Sequence, residues 1–180
     1  MSPELEAFLG RRVDLPHPAI PEENSVAYVW ELLRIRRFRS ALDIMERLGS
    51  LQELETVRAF CWARLERWDA LDTDAARPDA EPVVLLLAAF GQSSRKRHRE
   101  AVALCNRALE AGVDPRVGLS ALVQIHASSG CMQKLRKVAQ QIQDVAPQDE
   151  IVLSKLGQAF LSCGDYETAE DLCAGLHTNR

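Results

Sequence analysis

The chain has 180 residues, of which 47% are hydrophobic and 27% charged, and it carries a formal net charge of −4. That length supports one domain with a substantial core, and the balance of residues excludes general disorder and any global attraction to nucleic acid or anionic membranes. The longest apolar run, Pro82 to Phe90, is far shorter than the roughly 18 to 20 residues a membrane-crossing helix needs, so a soluble protein is expected.

Residues 1–23 read as a short helix followed by an extended segment. Leu5, Phe8 and Leu9 share a helical face that Gly10 ends, and Pro16, Pro18 and Pro21 exclude a helix beyond it. That stretch has neither a basic start nor an apolar core of the secretory type, and the expected location is cytoplasmic. From residue 24 onward the pattern is helical. Asn24 or Ser25 can cap a helix with Val26, Val29, Trp30 and Leu33 on one face, and Phe38, Ala41, Leu42, Met45 and Leu48 mark a second that Gly49 ends. Leu51 to Trp68 reads as a third long helical segment, Asp69 to Thr73 as a short partner helix, and Ala76 to Glu81 as a connector. Residues 24–77 thus look like two degenerate helical hairpins.

From Pro82 onward the sequence matches itself at an offset of 34 residues, in units 82–115, 116–147 and 150–176. Leu85, Leu119 and Leu153 coincide, as do Ala88, Leu122 and Leu156, then Ala101, Leu135 and Ala169, and then Leu104, Val138 and Leu172. Two further columns, Cys105 with Ala139 and Cys173 and Ala108 with Ile142 and Leu176, keep small or apolar residues, and Gly130 recurs as Gly164. A unit of this length cannot bury its own apolar faces, so units stack and share a core.

In the last unit Leu153, Leu156, Gly157, Phe160, Gly164, Tyr166, Ala169 and Cys173 stand in the order of the tetratricopeptide signature, with Pro147 closing the unit before it. Pro115 closes the first of the three, with two extra residues within Ala111 to Val113. The stretch therefore resembles the tetratricopeptide repeat family. It departs from the pattern where Leu153 replaces the usual Trp, Val123 and Ala89 replace Gly, and Leu135 replaces Ala. The resemblance implies an all-α, right-handed α-solenoid of about five antiparallel hairpins over residues 24–180. It also implies a non-catalytic scaffold or assembly chaperone whose groove, lined by the first helix of each hairpin, holds a segment of a partner protein. A chaperone of the secretion-system type fits as an alternative. An RNA-binding array or an enzyme stays open as another class.

By register the groove positions are Val83, Leu86 and Phe90, then Ser120, Gln124 and Ser128, then Ser154, Gln158 and Ser162. The groove should accordingly pass from apolar to small and hydrogen-bonding. None of the Lys, Asn and Arg residues with which family members clamp a chaperone's C-terminal carboxylate stands at these places, which disfavours that partner. The Ser and Gln columns also lack the basic or stacking residues an RNA reader needs.

The chain shows no nucleotide-binding, hydrolase or zinc-protease motif, and no His or Cys pair at metal spacing, so no catalytic residue, metal or other cofactor is assigned. His126 falls in the column of Phe160 and is expected to pack. Cys105 and Cys173 share a packing column, while Cys131 and Cys163 sit beside turns; all five thiols are expected to be reduced. The basic run Arg95, Lys96, Arg97, His98 and Arg99 falls at a helix-to-helix turn. It is either a solvated turn, a nucleic-acid or import patch, or an electrostatic docking site, with acidic residues from Glu66 to Glu81 available to balance it.

Overall fold

The computed structural model describes residues 25–49, 51 and 54–178, with side chains as far as residue 172. The expected helix at Pro3 to Gly10 and the Pro-rich segment lie outside the described residues. Within them the chain forms ten α-helices and no strand, as the helical periodicity predicts. It divides into two compact units, Met1–Leu71 and Asp72–Arg180.

In the first unit α1 (Val26–Arg34), α2 (Phe38–Leu48) and α3 (Glu55–Arg64) surround a core of Val29, Leu33, Leu42, Met45, Leu54, Val57 and Cys61. Ser25 caps α1 by accepting the amide of Tyr28 at 3.2 Å, and Gly49 ends α2 at φ 79°. Phe38 and Phe60 meet edge to face with centroids 5.9 Å apart, and the Arg64 guanidinium lies 5.5 Å from the Phe38 centroid. The single helical segment expected from Leu51 to Trp68 is in fact α3, a turn, and the start of α4 (Trp68–Ala75), which crosses into the second unit. The break carries no glycine or proline because Glu66 itself takes the left-handed conformation, φ 56°.

The same turn recurs. Arg36, Glu66, Lys96, Gly130 and Gly164 all have φ between 56° and 79°. Each donates its amide to the carbonyl three residues back, and the residue after it donates to the carbonyl five back, the double bond that closes a helix in the Schellman motif. Gly112 ends the sixth helix in the same manner.

The second unit continues with α5 (Pro82–Ser94), α6 (His98–Glu110), α7 (Pro115–Ser128), α8 (Met132–Val145), α9 (Glu150–Ser162) and α10 (Tyr166–Thr178). Pro82 and Pro115 occupy first helical positions, where a missing N–H costs nothing, and Asp114 and Asp149 accept first-turn amides of α7 and α9. α5 packs on α6, α7 on α8 and α9 on α10; α6 also meets α7, and α5, α7 and α9 pack on one another in succession. The repeat columns form the core these contacts share: Leu85, Leu119 and Leu153, Ala88, Leu122 and Leu156, and Ala101, Leu135 and Ala169 are all buried, whereas Leu104 and Leu172 are half-buried.

The connector between α4 and α5 is strapped down by Arg107 of α6, which donates to the carbonyls of Ala75 and Arg77 at 3.0 Å each. The two extra residues after α6 have a structural counterpart in Gly118 of α7. A Cβ there would lie 2.4 Å from Leu109 Cδ2 and 3.1 Å from Val113 Cγ1, so Leu109 of α6, with Val113 of the loop beside it, fills the space next to Gly118, whereas positions 84 and 152 carry valine.

Candidate functional site

The helices α5, α7 and α9 lie side by side, and positions three and four apart along each share a face. Phe90 on α5 is 58% exposed, with Val83 and Leu86 half-buried beside it. On α7 Gln124 is exposed, and on α9 so are Ser154 and Gln158. The structure differs from the sequence reading at Ser120, which is buried rather than lining the surface. α7 is flanked by both α5 and α9, so the position that is half-open on α5 and open on α9 is closed on the middle helix.

Ser128 and Ser162, which end the triplets of α7 and α9, are both exposed on this face. Ser94, Ser128 and Ser162 are repeat equivalents, and each hydroxyl bonds back to its own helix: to the carbonyl of Phe90 at 3.0 Å, of Ile125 at 2.9 Å and of Ala159 at 2.7 Å. Ser128 Oγ additionally lies 3.2 Å from Ser93 Oγ, joining α5 to α7. These hydroxyls satisfy carbonyls near the helix ends, and each keeps acceptor capacity, so Ser128 and Ser162 stand with Gln124, Gln158 and Ser154 among the polar groups that the face presents.

Sequence reading missed an apolar column on the same face. Val83, Val117 and Ile151 are repeat equivalents, and Val117 and Ile151 are 51% and 70% exposed, with Leu161 also open on α9. The face therefore does not pass from apolar to polar along its length. Every one of its three helices presents apolar groups, interleaved on α7 and α9 with an amide. The signal was available in the same offset of 34 residues, hidden because an apolar helix residue reads first as core.

Elsewhere the chemistry is structural. His126 is buried, and its imidazole is held below the ordinary histidine pKa first by desolvation and then by the nearby Lys134 and His98. Burial pushes the Cys61 and Cys105 thiols up to about 12, far from the range of a reactive thiolate. Cys131 and Cys163 are both free, with the Cys163 thiol directed at the carbonyl of Ala127 at 3.5 Å. Among the described residues no group of three or more His, Cys, Asp or Glu is placed to hold a metal ion. A depression of about 480 Å³ lined by Leu109, Leu119, Leu122 and Val145 lies between α6, α7 and α8 rather than on the exposed face.

The basic run does form the α5–α6 turn, but it is not uniformly solvated. Arg95 points inward, its Nη2 2.6 Å from an Asp72 oxygen and its Nε on the carbonyl of Gly91, while Asp72 also accepts Gln92 Nε2 at 3.0 Å. Arg95 is thus held within the fold by an ion pair with Asp72. Lys96, Arg97 and Arg99 remain exposed. No protein-family model, curated protein or solved structure matches the chain.

Proposed function

We propose that the chain is a tetratricopeptide-like α-solenoid built of antiparallel hairpins, and that it works as a non-catalytic scaffold or assembly chaperone in the cytoplasm. The observation that carries this reading is the face of α5, α7 and α9, where Phe90, Val117, Ile151 and Leu161 stay in contact with water, Val117 and Ile151 at the same place in successive units. Large apolar groups exposed on three neighbouring helices are what a surface covered by another protein presents. Gln124 and Gln158 each offer both a donor and an acceptor to the backbone of an extended or helical partner segment laid across the helices. Phe90, an exposed aromatic, is the natural anchor, because desolvated aromatics dominate interface energies.

The test is site-directed photo-crosslinking in the native cell, with a benzophenone amino acid at Gln124, at Gln158, or at the exposed Lys137 of α8. The expected result is one protein captured from both glutamine positions and not from position 137, with capture lost in the Ile151→Asp variant. Equal capture from all three positions, or capture that survives Ile151→Asp, would refute the groove reading.

A further inference from the structure

Charge is nearly absent from the helices that present the exposed apolar face. α5, α7 and α9 together hold only Arg116, Glu150 and Lys155 as formally charged residues, whereas α6 alone, at the same length as α5, holds Arg99, Glu100, Arg107 and Glu110. Arg116 and Glu150 stand in first turns at the rim, and Arg116 is paired with Asp114 at 2.6 Å. Lys155 is thus the single charge along the body of the face. We propose that the segment covering this face is an α-helix of another protein, lying across α5, α7 and α9 and presenting an apolar, uncharged side with a hydroxyl or amide residue at intervals of about two turns. The proposal rests on the groove reading above and names its occupant.

Three features favour that occupant. First, an extended segment buried here would need a partner for each of its peptide groups. Over α5 none is offered, since Val83, Leu86, Leu87 and Phe90 are what that helix presents up to Phe90. A helix satisfies its own peptide groups and can lie on such a surface without that cost. Second, a charged segment would lose its water on this face and, Lys155 apart, gain no opposite charge in return, which disfavours acidic peptides, basic peptides and nucleic acid alike. Third, Phe90, Gln124 and Gln158 are repeat equivalents on helices packed in succession, and neighbouring helix axes lie about 8 to 10 Å apart. A crossing helix advances that far in about six to seven residues, or two turns. One that sets an apolar residue on Phe90 therefore returns the same side to Gln124 and then to Gln158. Ser, Thr, Asn or Gln at those two places would pair with amides that both donate and accept.

The probe is a fluorescently labelled helical peptide of about 18 residues, long enough to cross three helices. One side is apolar except for two Asn set two turns apart, and the other carries Lys for solubility. Fluorescence anisotropy should show binding that persists at ~1 M salt, where the screening length is ~3 Å. Phe90→Ala and Ile151→Asp should each weaken it roughly tenfold or more. Both residues are exposed, so the variants should keep the parent circular dichroism, and Val117→Asp replaces either one that does not. A proline at the centre of the peptide, or Glu in place of both Asn, should also weaken binding roughly tenfold or more. Gln124→Ala with Gln158→Ala should erase the preference for Asn over Leu at those two places. A proline peptide that binds as tightly as the parent would overturn the helical occupant while leaving the groove in place. Tight binding untouched by Phe90→Ala and Ile151→Asp would remove the groove as well. Failure of the parent peptide to bind, binding abolished by salt, or a dimer of the chain that Ile151→Asp dissociates, which would assign the face to a second copy, would each overturn the proposal.

Discussion

Leu156 and Ile151 lie on one helix, five residues apart and both branched aliphatics, yet they face opposite environments: 1% against 70% exposed. Truncating each to alanine therefore measures the register of α9 directly. Leu156→Ala removes buried carbons and leaves a cavity among Leu122, Leu153 and Phe160 of the same cluster, which costs about 3 to 4 kcal/mol. Ile151→Ala gives up only the minor part of a side chain whose complete burial is worth roughly 2 kcal/mol, so its cost is about 0.5 kcal/mol. Urea denaturation followed by far-ultraviolet circular dichroism resolves that difference. Trp30, Trp62 and Trp68, the chain's only tryptophans, all lie within the first unit, so their fluorescence reports on that unit separately. The dichroism midpoint should fall clearly for Leu156→Ala and barely for Ile151→Ala. Equal losses, or the larger loss at residue 151, would refute the register and with it the exposed apolar face.

The depressed pKa of His126 means that the unfolded chain binds more protons than the folded one as pH drops past the ordinary histidine value of 6.5. Stability should then fall between neutral pH and the lower folded-state pKa, and His126→Gln should flatten that slope in thermal melts. Glu66 sits at positive φ, where a side chain costs about 1 to 2 kcal/mol and glycine offsets part of the gain through its entropy, so Glu66→Gly should raise stability by up to about 1 kcal/mol. A lowered denaturation midpoint would show that the left-handed turn is absent there. With thiols near pKa 12, Cys61 and Cys105 should resist alkylation in mildly alkaline buffer in the folded protein and react only with denaturant present. Rapid labelling of either in native buffer would contradict their burial.

The second unit was legible because its columns of Leu and Ala recur at a single interval that also spaces Lys96, Gly130 and Gly164. In the first half the hairpin from Ser25 to Gly49 was readable but the interval was not, since Arg36, Glu66 and Lys96 follow one another at intervals of 30 instead of 34. The helices there are about one turn shorter: α1 has 9 residues and α3 has 10, against 13 and 14 in α5 and α7. Losing about one helical turn keeps the buried face inward, so the fold tolerates the shortening while a self-match at fixed offset does not. A trace did exist in Arg34 to Phe38 and Arg64 to Trp68, both with Arg at the first and fourth places and an aromatic at the fifth. In the candidate site the Gln columns were readable. Ile151 was not, because only the rotation of α9 separates it from its buried neighbour Val152. The partner of Arg95 is 23 residues away in sequence, a distance over which no local pattern carries information.

Gly118 and the loop after α6 share one packing site. A repeat that acquired the extra loop while keeping a valine in the place of Gly118 would have had two side chains competing for one site, since Val113 and Leu109 already crowd the space a Cβ needs. One that acquired the glycine first would have been left with a void in an otherwise dense interior. Engineers who shorten this unit must treat both together with Leu109: Gly118→Val should crowd Leu109 and Val113, and removing Val113 relieves only the more distant of those contacts, so Leu109 has to shift as well.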